Sequence, residues 1–599
     1  KYRLGPELEI TGYSCEDHFL ELDTFMHSEQ SLAAILTGDL TDGILCDIGC
    51  PILHNNVRYN CRVFCLDRKI VLIRPKMSLA DDGNYREKRF FASWDYTDQA
   101  LHDHMLSDLL RKVTGQASVP IGVGIIATEE TTIASEICEE LWTARSPHIN
   151  YYLSGVEIIS NGSGSHHGLR KLESRLALMR EPTRKCGGVY VYSNSRGGDG
   201  TRLYFDGCSL VCVNGQVVSQ ASQFSMKDVE VITAVVDLDA VRAYRQDAAS
   251  FQEQSSREIQ LPTVDVRYFS LRHTKSASFD SLLEANTSQP VKVRIHSPEE
   301  ECAMGPACWL WDYLRRSGAA GFLLPLSGGA DSASVAAIVR TMCLMAAESA
   351  LAGNEQVIAD MRRLFVNNGA SSEIIDDLVA RYQSAQSSIV LSSDQVTTMT
   401  TDSEEKEDNG EDRQITASPI GDNALGEPKK LSAKEKAMME RRTLLANELT
   451  YQVLHTVYMG TSNSSTNTQD RAKRLAGTIH SYHHSFAIDD IVSAVLRVFT
   501  AFTGKTPQYT TQGGTMTEDL ALQNIQARLR MVMSYLCAQL FPWVRGNKGF
   551  LLVLSCGNVD EALRGYMTKY DCSSGDLNPI GGISKGDLKR MLTFVAAKQ

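Results

Sequence analysis

The sequence predicts an α/β protein of two domains, and three observations support this. Its 599 residues exceed the roughly 250–300 residues over which a single hydrophobic core grows. Residues 1–260 alternate short β-rich runs with helical segments. The apolar run Gly321–Leu326 leads through a glycine-rich turn into a helix, as strands do in a doubly wound parallel sheet. We therefore predict domains at 1–260 and 299–599, joined by a linker at 261–298.

The first domain contains several short segments that read as strands or helices. Runs rich in β-branched and aromatic residues between turn residues predict strands, and apolar residues at helical spacing predict helices. The predicted strands are Lys69–Ile73, Val119–Ala127, Val156–Ser160, Gly188–Tyr192 and Val229–Val236, and the predicted helices are Asp98–Thr114 and Leu169–Met179.

The second domain begins with a helix whose acidic first turn complements the helix dipole. That turn is Glu299-Glu300-Glu301, and the helix continues through Leu314. The strand Gly321–Leu326 follows, with a helix predicted from Ala333 onwards. A further buried strand is predicted at Leu551–Leu554.

Residues 392–430 form an acidic insertion within the second domain. The segment is polar and poor in apolar residues, so it cannot bury enough surface to offset the entropy cost of ordering. We therefore predict a disordered surface insertion. Ser432 and Glu435 have the spacing of a capping box and predict the helix with which order resumes.

The composition excludes several classes of function. With 60 Lys+Arg against 72 Asp+Glu, the net charge is −12, which is not the basic charge of a nucleic-acid-binding protein. No apolar run approaches the roughly 18–20 residues of a membrane span. The fifteen cysteines lack zinc-site spacing and favour reduced thiols over disulfides. We expect a cytoplasmic protein that binds neither nucleic acid nor membrane.

The turn after Gly321–Leu326 is the most informative segment of the chain. Its sequence is Ser327-Gly328-Gly329-Ala330-Asp331-Ser332. Backbone N–H groups and the dipole at a helix N-terminus bind phosphate, and an Asp in the turn can hold a bridging metal ion. The alternative is an ordinary glycine-rich turn between a strand and a helix.

This turn resembles the phosphate loop of the N-type ATP pyrophosphatases. Enzymes of that family cleave ATP to AMP and pyrophosphate while they adenylate a substrate. The resemblance implies that the ATP-binding residues of the loop are Ser327, Gly328, Gly329, Asp331 and Ser332.

The first domain contains a Glu, a Lys and a Cys, in that order along the chain, each within a short motif. Glu7 lies in a Gly-Pro-Glu segment, Lys76 in Arg-Pro-Lys, and Cys138 in Ile-Cys-Glu-Glu. Together they resemble the Glu-Lys-Cys triad of the nitrilase superfamily, which implies an α-β-β-α sandwich. In that chemistry the thiol attacks an amide carbonyl, a carboxylate moves the proton, and an ammonium stabilises the oxyanion. The resemblance implies these three roles for Cys138, Glu7 and Lys76.

Further residues match the amide pocket of the glutamine-using members of this superfamily. The resemblance implies a second acid beside the triad at Glu87. It also implies that the glutamine-binding residues are Tyr13, Tyr85, Ser165 and Lys171, the last of them meeting the glutamine carboxylate.

The second half carries a series of motifs that resembles NAD synthetase. They are Asn524–Met531 (expected to precede a helix), Asn558–Glu561, Thr568–Asp571 and Gly575–Lys585. Behind a nitrilase-like half, the series resembles the glutamine-dependent NAD synthetases of eukaryotic type, over almost all of the chain except the acidic insertion. The resemblance implies that Asp331 and Glu561 hold Mg²⁺, that Cys556 and Lys585 contact ATP, and that Arg528, Lys569 and Asp576 contact deamido-NAD.

One of these positions departs from the family pattern. The family has Gly-Ser or Gly-Thr before the Asn-x-x-Glu run, whereas this chain has Ser555-Cys556. A thiol is a weaker hydrogen-bonding group than a hydroxyl, which bears on how Cys556 contacts a nucleotide.

The resemblance implies ATP-dependent amidation of deamido-NAD with ammonia released from glutamine. It also implies a homo-oligomer. One alternative is a related glutamine amidotransferase that acts on another carboxylate, although such an enzyme would lack the Asn578–Gly582 motif. The other is a degenerate protein that serves as a binding or assembly subunit, which the intact triad and phosphate loop oppose.

The resemblance also concerns the two ends of the chain. In the family, an opening strand and helix precede the Gly-Pro-Glu segment, and further nucleotide contacts follow the position of Gln599. We therefore expect the first domain to lack its first strand and the second to be shortened at its C-terminus.

We predict that the acidic insertion is dispensable for chemistry. Deletion of residues 395–428 should leave turnover within a few-fold of the parent, because the segment is too poor in apolar residues to pack. Steady-state rates and thermal unfolding of the two proteins test this. A folded deletion protein without activity would contradict it and indicate a role at a subunit or partner contact.

Overall fold

The computed structural model describes residues 1–95, 100–200, 203–272, 287–380, 433–462 and 464–598. The chain forms two compact units. The first comprises Lys1–Ser317, Asn558–Asp560 and Gly582–Gln599, and the second comprises Gly318–Gly557 and Glu561–Gly581. The acidic insertion at 392–430 and the capping box of Ser432 and Glu435 lie outside the residues whose side chains are described.

The first unit is built on two large sheets and a small hairpin. One sheet has six strands in the order β1-β2-β3-β4-β6-β5, and the other has seven in the order β14-β13-β10-β9-β8-β7-β15. β11 and β12 form the hairpin. The strands are β1 (Tyr2–Leu4), β2 (Leu45–His54), β3 (Val57–Leu66), β4 (Lys69–Pro75), β5 (His102–Met105), β6 (Ser118–Ile121), β7 (Ile125–Ala127), β8 (Thr132–Ile137), β9 (Ile158–Ser163), β10 (Val189–Asn194), β11 (Arg196–Gly198), β12 (Tyr204–Asp206), β13 (Leu210–Val213), β14 (Gln216–Gln220) and β15 (Thr263–Asp265).

The two sheets face each other, with helices on their outer faces. Leu45 and Phe64 of the first sheet pack against Ile133 of the second. Successive side chains of a strand point to opposite faces of its sheet. Those on the outer face of each sheet pack under the outer helices, which completes the expected α-β-β-α sandwich. The helices of this unit are Leu22–Thr37, Glu87–Phe90, Asp108–Thr114, Pro147–Leu153, Lys171–Cys186, Leu238–Gln246, Ala249–Ser255, Pro298–Ser317 and Lys585–Lys598, with 3-10 turns at Glu16–Leu20 and Cys138–Leu141.

The second unit is a parallel sheet in the order β18-β17-β16-β19. The strands are β16 (Gly321–Pro325), β17 (Leu454–Gly460), β18 (Tyr482–Ala487) and β19 (Leu551–Val553). Helices pack on both faces, so the doubly wound prediction is confirmed. The helices are Ala330–Leu351, Glu355–Asn367, Ala433–Val453, Thr466–Thr478, Asp489–Thr503 and Met516–Val544, with a 3-10 turn at Thr510–Gln512. The helix Val559–Arg564 has its first two residues in the first unit and the rest in the second.

Three predicted elements of the first domain differ in the structure. Of the described residues 100–114 of the predicted helix Asp98–Thr114, only Asp108–Thr114 is helical, and it follows the short strand β5, while residues 98 and 99 lie outside the described residues. The predicted strand Val119–Ala127 is two strands in different sheets, because the chain crosses from one sheet to the other at Gly122-Val123-Gly124. Val229–Val236, described throughout, adopts no regular structure despite its apolar alternation.

Other boundaries also differ from the prediction. The strand β15 lies within the predicted linker, because it pairs in parallel with β7. The helix Pro298–Ser317, assigned to the second domain, belongs to the first unit, where Asp312 accepts a hydrogen bond from the Gly198 backbone at 2.7 Å. The phosphate-loop helix begins at Ala330, three residues before the predicted Ala333. The Asn524–Met531 motif lies inside the helix Met516–Val544 rather than before a helix.

One helix among the described residues is long and apolar enough to cross a membrane, by length and composition. It is Ala330–Leu351, and 72% of its most apolar window is buried inside the protein. The helix follows β16 and lies against the parallel sheet, so burial in the core accounts for its composition.

Candidate active sites

The Lys76 side chain is fully buried between two carboxylates. Its Nζ donates hydrogen bonds to Glu7 Oε1 at 2.6 Å and to Glu87 Oε1 at 2.8 Å. Burial by itself lowers the pKa of Lys76, but the two carboxylates outweigh burial and raise the pKa well above its ordinary value. Lys76 is therefore charged at neutral pH in a place shielded from water, where a positive charge stabilises an oxyanion most effectively.

The two carboxylates are held by other donors as well. Glu7 accepts hydrogen bonds from Asn60 Nδ2 at 2.7 Å and from the Gly164 backbone at 2.9 Å. Glu87 accepts from the Tyr13 hydroxyl at 2.5 Å. Burial raises the pKa of Glu87 to about 7, although Lys76 opposes the shift. Glu7 and Glu87 thus sit in different surroundings and can serve different roles.

Cys138 lies at a sharp turn directly after β8. Its φ of 41° falls in the left-handed region that few non-glycine residues adopt, and its backbone N–H donates to Asn161 Oδ1 at 3.0 Å. Burial raises the pKa of the Cys138 thiol, and the charge of Glu7 raises it further while that of Lys76 opposes both. The thiol is therefore protonated at neutral pH and needs a base, and Glu7 is the carboxylate whose charge acts most strongly on it.

The predicted glutamine-binding residues surround this cluster. The Tyr13 and Tyr85 rings meet edge to face at 6.0 Å, and both line a cavity together with Glu87. The Ser165 hydroxyl is buried and accepts a hydrogen bond from Arg175 at 3.3 Å. Lys171 Nζ lies 5.8 Å from the centre of the Tyr85 ring. The structure thus brings all four predicted residues to one place.

A second buried ion pair fixes the backbone that carries Glu7. Arg62 Nε donates to Asp47 Oδ1 at 2.6 Å, and both side chains are fully buried. The remaining Arg62 nitrogens donate to the carbonyl groups of Gly5 and Pro6 at 2.8 Å each. Because those two residues directly precede Glu7, Arg62 sets the position of the carboxylate.

In the second unit, the phosphate loop is held by its own hydroxyl groups. The Ser327 backbone donates to Ser332 Oγ at 3.2 Å, and the Gly329 backbone donates to Ser327 Oγ at 3.3 Å. Gly328 has a φ of 76°, and a Cβ at that position would lie 2.4 Å from the Thr468 carbonyl oxygen. Glycine is therefore required for this turn, which opens the helix Ala330–Leu351.

Cys556 lies near this loop because their strands are neighbours. The loop follows β16 and Ser555-Cys556 follows β19, and β16 and β19 pair in parallel, so both segments leave the same edge of the sheet. Burial raises the pKa of Cys556 well above its ordinary value, and the nearby groups Cys572, Asp331 and Glu561 raise it further. The predicted Asp331, Cys556 and Glu561 are thus brought together.

The carboxylates Asp331 and Glu561 suit a hard divalent cation, which takes oxygen ligands. Among the described residues, no cluster of three or more His, Cys, Asp or Glu side chains could hold a metal ion.

The remaining predicted residues lie in three places. Arg528 Nε donates to the Lys569 carbonyl group at 3.0 Å, so these two are neighbours. Asp576 accepts from the Tyr535 hydroxyl at 3.1 Å and from the Val553 backbone at 2.8 Å, at the end of β19. Lys585 begins the last helix, which belongs to the first unit.

Two protein-family models match the chain. A carbon-nitrogen hydrolase model matches residues 1–246, and an NAD synthase model matches residues 442–597. A glutamine-dependent NAD(+) synthetase of Oryza sativa subsp. indica is 49% identical over 594 residues, which cover 99% of this chain and 70% of the relative. The enzyme of the same name from Saccharomyces cerevisiae is 48% identical over 606 residues, covering 100% of this chain and 74% of the relative.

The chain belongs to the glutamine-dependent NAD(+) synthetase family. Solved structures agree at the level of the fold. A glutamine-dependent NAD(+) synthetase from Cytophaga hutchinsonii superimposes with a TM-score of 0.68 at 20% identity, covering 99% of this chain and 75% of that one. A second, from Acinetobacter baumannii in complex with ADP, gives a TM-score of 0.62 at 17% identity, covering 100% and 76%.

Sequence reasoning missed several residues of this synthetase's first site, although some left a visible pattern. Asn60 and Arg62 lie two residues apart in β3, in a run that is otherwise largely apolar. Because residues at this spacing point to the same face of a strand, two polar side chains there indicate a buried polar site. Asp47 has no comparable pattern, since Leu45 and Gly49, two residues to either side of it in β2, are not polar, whereas Asn161 shares its face of β9 with Ser163.

All fifteen cysteines lie in the described part of the chain and all are free thiols. Twelve of them are buried, and three are half-buried: Cys15, Cys556 and Cys572.

We predict that alkylation of Cys138 by iodoacetamide accelerates as pH rises from about 7 to about 9, by about tenfold per pH unit, because only the thiolate reacts. Lys76→Met should slow alkylation at a given pH, since the ammonium is the charge that opposes the raised pKa of the Cys138 thiol. Mass spectrometry of the Cys138 peptide measures both rates.

Cys61, fully buried in β3, is the internal control for this experiment. It should stay unlabelled in both proteins, which shows that the fold is intact. A pH-independent rate at Cys138, or faster labelling in Lys76→Met with Cys61 still protected, would contradict the prediction.

Proposed function

We propose that this chain converts deamido-NAD to NAD with ATP and glutamine, the final step of NAD biosynthesis. The observation that carries this is the buried Glu7–Lys76–Cys138 cluster in the same chain as an ATP-type phosphate loop. The cluster can release ammonia from an amide, and the loop can bind the phosphates of ATP. The enzyme class is a carbon–nitrogen ligase with glutamine as the amide donor.

The first unit hydrolyses glutamine through a thioester. Glu7 takes the proton of the Cys138 thiol as sulfur bonds to the amide carbon, and the oxyanion forms next to the Lys76 ammonium. The carbon–nitrogen bond then breaks while Glu7 returns the proton, so ammonia leaves. Glu7 next takes a proton from a water molecule as the water oxygen bonds to the thioester carbon; the carbon–sulfur bond then breaks, glutamate leaves, and the proton passes from Glu7 to the Cys138 sulfur. Glu7 therefore acts twice, once in each half of the reaction.

The second unit activates the nicotinate carboxylate of deamido-NAD. A carboxylate oxygen attacks the α-phosphorus of ATP, and the bond to the departing pyrophosphate breaks. The loop Ser327–Gly329 leads into the helix Ala330–Leu351, so the dipole and the first-turn N–H groups of this helix bind the phosphates. Ammonia then attacks the acyl carbon of the adenylate, AMP leaves, and the amide of NAD is formed.

Mg²⁺ is part of this proposal, with Asp331 and Glu561 as its protein ligands. The supporting observation is that both carboxylates act on the same thiol, Cys556. Asp331 and Glu561 would hold the ion, which when bound would supply positive charge next to the phosphates.

A homo-oligomer is likewise proposed, on the strength of exposed apolar side chains in the second unit. On the helix Asp489–Thr503, Val498 is 65% and Phe502 73% exposed. On the neighbouring helix Met516–Val544, Trp543 is 72% exposed. Large apolar groups on adjacent helices favour burial against another surface, and a second copy of the chain offers the same surface.

A cytoplasmic location is also proposed. It is supported by the fifteen free thiols, which persist in a reducing compartment.

Replacement of Cys138 by Ala should separate the two halves. Glutamine-dependent NAD formation should fall by at least about a thousandfold, because no nucleophile remains to form the thioester. Synthesis from a high concentration of ammonium should persist, since ammonia from solvent replaces the glutaminase product. Steady-state NAD formation with each nitrogen source measures the effect.

Cys212→Ala is the matched control, because Cys212 is a buried cysteine on β13 of the same unit. It should leave both nitrogen sources effective. Equal loss of both activities in Cys138→Ala, or no loss of either, would refute the assignment of Cys138 as nucleophile.

Asp331→Ala should abolish NAD formation with both nitrogen sources. The change removes a carboxylate from the first turn of the phosphate-loop helix, so adenylation should fall by about a hundredfold or more. Pyrophosphate release that depends on deamido-NAD is the direct measurement. Asp376→Ala, which removes a surface carboxylate paired with Arg362 in the same unit, should have no effect. Near-normal ammonium-dependent synthesis in Asp331→Ala would disprove the proposed role.

A further inference from the structure

A buried ion pair joins the two chain segments that carry Lys76 and Cys138. Arg74 lies at the end of β4, two residues before Lys76, and Glu140 lies in the 3-10 turn that begins at Cys138. Arg74 NH1 donates to Glu140 Oε1 at 2.7 Å, and both side chains are fully buried. Neither residue has a role in the reaction described above.

Glu140 also accepts hydrogen bonds from the backbone on both sides of the site. The Ile137 N–H donates to Oε2 at 2.8 Å, and the Met77 N–H donates to Oε1 at 2.5 Å. Ile137 directly precedes Cys138, and Met77 directly follows Lys76. One carboxylate therefore bonds to residues adjacent to the nucleophile and to the ammonium.

Arg74 extends the connection to the strand that leads into the nucleophile turn. Its NH2 donates to the Tyr151 hydroxyl at 3.3 Å, and that hydroxyl donates to the Ser135 carbonyl group of β8 at 3.2 Å. Burial lowers the pKa of Arg74, but Glu140 outweighs burial and the pKa is raised overall. The guanidinium is thus a permanent, rigid fork that contacts both sides of the turn.

The turn at Cys138 needs such support. A φ of 41° is unfavourable for a residue with a side chain, and such a conformation persists only where the surroundings impose it. The carboxylate of Glu140 holds the Ile137 N–H by a hydrogen bond, one residue before Cys138, where the backbone is strained.

We propose that Glu140 and Arg74 are positioning residues that set the distance between the Cys138 thiol and the Lys76 ammonium. The expected change in the glutaminase rate rests on the proposed function. The expected change in the position of the Cys138 thiol does not, because that position can be measured without glutamine. Neither residue touches substrate, so their effect belongs to the rate of the chemical step rather than to glutamine binding.

The test uses the full chain with Glu140→Gln and Arg74→Lys. For Glu140→Gln we expect the glutaminase kcat to fall about a hundredfold, because small misplacements of reacting groups have effects of this size. The KM for glutamine should stay within about threefold, since Tyr85, Ser165 and Lys171 are unchanged. Arg74→Lys keeps the positive charge but not the fork, so its loss should be smaller. Ammonium-dependent synthesis should equal that of the parent in both.

Alkylation of Cys138 by iodoacetamide is the second readout. Glu140→Gln should slow it, because the thiol moves away from the ammonium that favours its thiolate. This measurement decides the inference even if the parent protein does not hydrolyse glutamine, a result that would refute the proposed function alone. Glu157→Gln is the matched control, since it removes a carboxylate bound to Arg242 elsewhere in the same unit, and it should change neither readout.

Four results would overturn the inference: an unchanged kcat, a raised KM with an unchanged kcat, alkylation at the parent rate or faster, and equal loss with both nitrogen sources. The last would indicate a structural role. If Glu140→Gln does not fold, Arg74→Lys decides the question, because it retains a buried positive charge opposite Glu140. An Arg74→Lys protein with parental kcat and parental alkylation would then reject the positioning role.

Discussion

The first site depends on the charge of Lys76, which is held out of water between Glu7 and Glu87. Two carboxylates share one ammonium, and Asn60 and the Gly164 backbone donate further hydrogen bonds to Glu7. Removal of one partner from such an arrangement typically costs about 3–5 kcal/mol, because the remaining charge stays buried. The same arrangement explains why the thiol can remain protonated until substrate arrives: the neighbouring negative charges disfavour a thiolate.

This cluster is assembled from both sheets of the sandwich, and buried ion pairs make the connection. Asp47 of β2 accepts from Arg62 of β3 and from the Ser160 hydroxyl of β9 at 2.8 Å, so one carboxylate joins the two sheets. Arg74 and Glu140 make a comparable link between β4 and the nucleophile turn. Neutral side chains could fill these positions. They would not hold the backbone groups of neighbouring segments, as Arg62 holds the Gly5 and Pro6 carbonyl groups and Glu140 holds the Ile137 and Met77 N–H groups. The ion pairs therefore contribute geometry as much as stability.

The sequence predicted what depends on local pattern and missed what depends on distant pairing. The Ser327–Ser332 loop and the triad motifs could be predicted because their residues carry chemistry in short, contiguous runs. Arg74 could not, since a single charge within a strand resembles a solvent-facing residue until its partner is known. Arg62 was missed although Asn60, two residues away in β3, marks the same face of the strand as polar. The strand predicted at Val229–Val236 was wrong for a related reason. Its apolar alternation fits a strand, but the segment pairs with no sheet among the described residues, and Val229 and Val231 are 77% and 79% exposed.

The burial of the thiols determines when this enzyme becomes sensitive to oxidation. The nucleophile Cys138 is enclosed, whereas Cys556 and Cys572, beside the nucleotide loop, are half-buried. Burial nevertheless raises the pKa of Cys556, and it raises the pKa of Cys572 to about 11, so both stay protonated at neutral pH, as the nucleophile does. Peroxide reacts with thiolates, so the intact fold protects the cysteines of both halves without a single disulfide bond. We therefore expect thiol oxidation on storage to follow local unfolding of either unit rather than to precede it.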